Sequence, residues 1–169
     1  MIKKESQENL GKETFLRIAR LDKEMEEQEN FTLTMFENTE KYDQIISMKR
    51  ISAVAKCEHH HCEFIMKVHA GYIPNKWLIG ASKFNRIVRK HANLKKKTLQ
   101  ERVTQGILND LESTKPQGAI VIIEGKHSCI GYRGVRDDST MITSAVSGVF
   151  KKDSNLETKF INLIKLNNI

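Results

Sequence analysis

Apolar positions along the chain change their period several times, and each change marks a predicted element. From Ser6 to about Asn30 a polar stretch carries Leu10, Phe15, Leu16, Ile18, Ala19 and Leu21 at roughly helical spacing, which predicts an amphipathic N-terminal helix. Ile45-Ile46-Ser47-Met48-Lys49-Arg50-Ile51-Ser52-Ala53-Val54-Ala55 partly alternates and predicts a strand running into Cys57. Phe64, Met66, Val68 and Ala70 alternate within Glu63 to Pro74 and predict its partner, closed by a turn at Tyr72-Ile73-Pro74-Asn75. Ser82 is placed to cap a helix with Phe84, Ile87, Val88 and Ala92 on one face. A second helix, Leu99 to about Ser113, carries Leu99, Val103, Ile107, Leu108 and Leu111, and Lys115-Pro116-Gln117-Gly118 ends it. Ala119 to Ile123 is a continuous β-rich run and predicts a buried strand. Ser128 to Val135 and Thr140 to Val146 predict two more, joined by Asp137-Asp138-Ser139. A last helix, about Asn155 to Leu166, would bury Phe160, Ile161, Leu163 and Ile164. The order β-β-α-α-β-β with flanking helices predicts an α+β fold, an antiparallel sheet of about four strands with helices on one face. No repeat or linker interrupts it, so residues 1–169 are expected to form one domain with a helical segment at about 6–30.

Composition narrows the function classes. With 39% apolar residues the chain can bury a core, yet no apolar run approaches the ~20 residues of a membrane span. The start, Met1-Ile2-Lys3-Lys4-Glu5-Ser6, has no apolar stretch behind it, and three cysteines are an odd number, so a reducing cytoplasmic location is expected. The net charge of +7 points to an anionic partner. Aromatic residues are 7% and do not interleave with the basic ones, and Lys95-Lys96-Lys97 reads as a solvated loop, so a small anionic ligand is favoured over nucleic acid.

The chemistry concentrates in Cys57-Glu58-His59-His60 and His127-Ser128-Cys129. A thiolate and an imidazole spaced i, i+3 can converge on one cation, and a distant second thiolate would complete a Cys/His/Cys set that suits zinc. Three protein ligands leave a fourth position open, where a water can be deprotonated near neutral pH. His59 and His127 would then be spare proton carriers. On spacing alone the bland reading, reduced thiols and surface imidazoles, stands beside this one, because the paired C-x-x-C of a zinc finger is missing. Cys62 is either a competing ligand or a small buried thiol.

The tract Cys57-Glu58-His59-His60, followed in order by Ala70-Gly71-Tyr72-Ile73-Pro74, Ile79-Gly80-Ala81-Ser82-Lys83-Phe84-Asn85-Arg86, Leu99-Gln100-Glu101-Arg102-Val103-Thr104, His127-Ser128-Cys129, Arg133-Gly134-Val135-Arg136, Thr143-Ser144 and Gly148-Val149-Phe150, resembles the motif series of GTP cyclohydrolase I. The resemblance covers Ser52 to the C-terminus and, more weakly, the part before it. It implies zinc held by Cys57, His60 and Cys129, hydrolysis of the imidazole ring of GTP, loss of C8 as formate, and closure to 7,8-dihydroneopterin triphosphate. It also implies that His127 protonates N7, that His59 and Ser82 assist at the ribose, and that Glu101, with Gln100 beside it, reads the guanine edge. Ser82, Lys83, Arg86 and Arg133 would hold the triphosphate, with Arg17 and Arg20 reaching it from a neighbouring subunit. The implied architecture is the tunnelling fold, whose sheets join into a ring. The rings stack, commonly as a decamer of two pentamers with active sites between subunits. A same-fold alternative stops at the ring-opened formamidopyrimidine or takes another purine triphosphate. This chain departs from the pattern at Phe15, where the family has proline, at Lys95-Lys96-Lys97, and at His61 and Cys62.

Overall fold

The computed structural model describes residues 2–95 and 97–166, with side chains from residue 11 onward except 28 and 29. Lys96 and the side chain of Leu10 therefore lie outside the described residues. In chain order the elements are α1 (Ile2–Glu29), β1 (Met35–Glu37), β2 (Ile46–Cys57), β3 (Glu63–Ile73), β4 (Trp77–Ile79), α2 (Ala81–His91), β5 (Lys97–Thr98), α3 (Gln100–Glu112), β6 (Gly118–His127), α4 (Ser128–Gly131), β7 (Met141–Val146) and α5 (Ser154–Lys165). The main sheet has the order β5-β2-β3-β6-β7, and β1 pairs with β4 in a separate ribbon. The four long strands are antiparallel and β5 adds a short parallel edge, so the α+β expectation holds.

One face of the sheet is apolar because alternate residues of each strand point the same way. Ala53, Ala55 and Cys57 of β2, Phe64, Met66, Val68 and Tyr72 of β3, and Val121 and Ile123 of β6 form a core with Phe84, Ile87 and Val88 of α2 and Val103, Ile107 and Leu111 of α3. This is the predicted helix layer. The opposite face is covered at one end by α5, whose Phe160 packs with Ile45, Ile73, Ile120 and Phe150. A Cβ at Gly71 would stand 2.8 Å from the Phe160 ring, so glycine there lets α5 approach the sheet. Helices thus occupy both faces, not one.

Three further differences matter near the chemistry. The residues Ser128 to Gly131, expected as strand, form the short helix α4, while β6 runs on to His127. Gly80, not Ser82, is the N-cap of α2, which leaves Ser82 exposed in the first turn. A shift in the β2–β3 register between Met48 and Ile51 leaves Arg50 with φ of 57°, a bulge that alternation alone cannot reveal.

Candidate active site

Four chain segments meet at one end of the sheet. The last residue of β2 is Cys57, buried among core residues. Its N–H donates to the Cys62 carbonyl at 2.8 Å, and its own carbonyl accepts from the His61 N–H at 2.8 Å. These bonds close the five-residue connection between β2 and β3, with His61 in the left-handed region at φ 55°. Across the sheet, β6 ends on His127 and α4 begins immediately, which turns Cys129 back toward Cys57. The β5 residue Thr98 pairs with Cys57 and delivers the start of α3, so Gln100 and Glu101 arrive beside the same spot.

Ligand atoms of Cys57, His127 and Cys129 all lie within 4.8 Å of one another. The two sulfurs of this group are donors that zinc prefers, so they fit the ion, and the structure sets the His127 imidazole beside them. Burial, and then the neighbouring Cys57 and Cys62 thiols, push the Cys129 thiol up. Burial lowers His127, opposed by the nearby Glu101 carboxylate, which favours a neutral imidazole at neutral pH.

The His127 ring is held on two sides. It stacks on Phe64, its cross-strand partner, with centroids 4.4 Å apart and planes 5° from parallel. Its Nε2 lies 3.0 Å from Oε1 of Gln100. Gln100 is itself buried, and its Nε2 donates to the carbonyls of Ile123 at 3.2 Å and Met141 at 3.0 Å and to Oγ1 of Thr143 at 3.1 Å. Thr143 also contacts Oγ1 of Thr104 at 2.7 Å. Phe64, Thr104, Gly125 and Thr143 were not predicted as site residues. Thr104 and Thr143 stand in matched motifs, but Phe64 and Gly125 read as ordinary sheet positions.

The remaining predicted residues are distributed around this centre. His59 and His60 sit exposed on the β2–β3 connection, edge to face at 6.2 Å, and His60 is outside the Cys57/His127/Cys129 group. Glu101 is exposed in the first turn of α3. Lys83 and Arg86 lie one turn apart on α2, with Arg86 exposed and Nζ of Lys83 donating to the Thr32 carbonyl at 2.8 Å. Arg133 is exposed just after α4. Arg17 and Arg20 are exposed on α1, where Arg17 pairs with Glu13 at 3.3 Å. A cleft of about 310 Å³ lined by His127, Ser128, Tyr132 and Arg136 opens beside the centre.

The family model for GTP cyclohydrolase I matches residues 1–165. The chain belongs to the GTP cyclohydrolase I family. Among its family relatives, GTP cyclohydrolase 1 of Aquifex aeolicus is 40% identical over 156 residues, covering 91% of this chain and 84% of that protein. GTP cyclohydrolase 1 of a Hydrogenobaculum species is 37% identical over 156 residues, with 91% and 85% covered. In fold, the chain is similar to a crystal structure of archaeosine synthase QueF-Like in its apo form, with a TM-score of 0.51 at 14% identity, covering 62% of this chain and 93% of that one.

Proposed function

We propose that this family member is a zinc-dependent GTP cyclohydrolase I, which opens the imidazole ring of GTP, releases C8 as formate and closes the product to 7,8-dihydroneopterin triphosphate. The observation that carries this reading is the convergence of Cys57, His127 and Cys129 within 4.8 Å, at the end of a sheet whose matching family hydrolyses GTP by name. Cys57 and Cys129 hold the ion with His60, as the resemblance implies, and His127 stays free for proton transfer. When bound, zinc supplies a nucleophile for C8 at neutral pH and Lewis acidity beside it.

The protein's own groups do the rest. His127, neutral and fixed by its neighbours, takes up a proton from the attacking water and passes it on to N7. Glu101, exposed at the start of α3, accepts from N1–H and the exocyclic amine of guanine, a donor pair adenine lacks. Gln100 lies beside it at the first residue of α3. His59 and Ser82 serve the ribose. Lys83, Arg86 and Arg133 bind the triphosphate, since guanidinium forks and ammonium groups suit its oxygens.

Arg17 and Arg20 reach the triphosphate from a second copy. An assembly is supported by α1, whose Phe15 is 70% exposed and Leu16 and Ile18 each 54% exposed, an apolar surface suited to burial between subunits. We infer a homo-oligomer, a decamer of stacked pentamers, working in the cytoplasm with its cysteines outside any disulfide. No described helix is long and apolar enough to cross a membrane. Formate release from GTP by the zinc-loaded protein, lost on chelation, is the test.

A further inference from the structure

We infer that Gln100 is a positioning residue that fixes the tautomer of His127, making Nε2 the protonated nitrogen and leaving Nδ1 as the one with a lone pair. An amide can be turned end for end, but here the surroundings decide its sense. Its nitrogen is met by two backbone carbonyls, Ile123 at 3.2 Å and Met141 at 3.0 Å, which can only accept hydrogen bonds. That end must be the NH₂. The other end is therefore Oε1, an acceptor, and it faces Nε2 of His127 at 3.0 Å. Nε2 must donate.

The surroundings also hold the amide in place. Gln100 is 1% exposed, and Thr143 engages both its Nε2 and the Thr104 hydroxyl, whose own hydrogen bond runs back to the Gln100 carbonyl at 2.8 Å. The ring cannot rotate out of line without leaving its stack on Phe64. Since only Nδ1 is left to accept a proton, Gln100 decides which atom of His127 does chemistry. This assigns the amide to the imidazole and not to the base of the substrate.

The functional consequence rests on the cyclohydrolase reading, but the proton's position does not, so the two fail separately. The experiment is ¹⁵N magic-angle-spinning NMR of the full-length protein labelled in its histidines, both metal-free and zinc-loaded, with the His127 signals assigned by their loss in His127→Asn. Protonated Nε2 and bare Nδ1 in the wild type, with and without zinc, is the expected result. Protonated Nδ1 in the neutral ring overturns the inference. Gln100→Met, similar in length but unable to accept, is expected to give mixed tautomers and to lower kcat by on the order of 10- to 100-fold, with the KM for GTP little changed. An unaltered tautomer with a raised KM would instead mean that the amide serves the base. If Gln100→Met does not fold, the wild-type spectrum still decides, and absence of GTP turnover would count against the cyclohydrolase reading alone.

Discussion

A Cβ built on Gly125 would lie 2.0 Å from Oε1 of Gln100, so the amide occupies space that any other residue at 125 would fill. Backbone freedom does not require this glycine; it is not among the positive-φ positions. Its missing side chain is what admits the group that holds His127.

Gly125→Ala is accordingly predicted to displace the amide. Overpacking of this kind costs about 1–3 kcal/mol, read as a lower urea midpoint. Turnover should fall further than the stability loss explains, while zinc content stays at the wild-type level. Wild-type turnover in Gly125→Ala would show that the amide's position is not critical.

The metal set gives a second prediction. Cys129→Ala should lose bound zinc and formate release together, because a sulfur donor is removed from the group within 4.8 Å. His60→Ala should also lose zinc, whereas His127→Ala should keep it and lose turnover by about 10²- to 10⁴-fold, the share general acid–base catalysis supplies. Elemental analysis of the purified variants checks this. Zinc lost from His127→Ala and kept in His60→Ala would assign the imidazole ligand to His127.

The sequence made the major elements legible because their periods are strong: β2, β3, α2 and α3 fall within a few residues of the predicted spans. The thiols and the spare histidine were also legible, since Cys57, His127 and Cys129 do meet. What escaped depended on tertiary partners. Ser128 to Gly131 has strand-like neighbours but turns as α4, and nothing local in Phe64 announces a ring beneath His127. Gln100 reads in sequence as a polar neighbour of Glu101 at the guanine edge. Only the sheet packed against α3 shows that its amide is buried. His61, unexplained as a ligand, takes the left-handed position of the β2–β3 connection.

Away from the site, His69 is buried on the other face, with Nε2 3.1 Å from Glu124 and Nδ1 without a hydrogen-bond partner among the described residues. Burial lowers its pKa from the ordinary 6.5; Glu124 opposes that, while Arg50 and Lys49 add to it. Because the unfolded chain then takes up the proton more readily, this contribution is intact above about pH 6.5 and is lost as the pH falls below it. Urea midpoints should therefore drop between about pH 7.5 and pH 5.5, and less so in His69→Gln. An equal drop in both proteins would remove His69 as the cause.

The exposed apolar face of α1 predicts the behaviour of the assembly. Phe15→Glu combined with Ile18→Glu should shift the sedimentation profile toward smaller species and reduce turnover per chain, leaving the helical content of the remaining fold in place. A wild-type active monomer would contradict an intersubunit site.

The most direct measurement is mass analysis of the products formed when the zinc-loaded protein is incubated with GTP. Stoichiometric formate and 7,8-dihydroneopterin triphosphate, both lost with a chelator, is the predicted result. Accumulation of the ring-opened formamidopyrimidine without closure, or unchanged GTP, would contradict it.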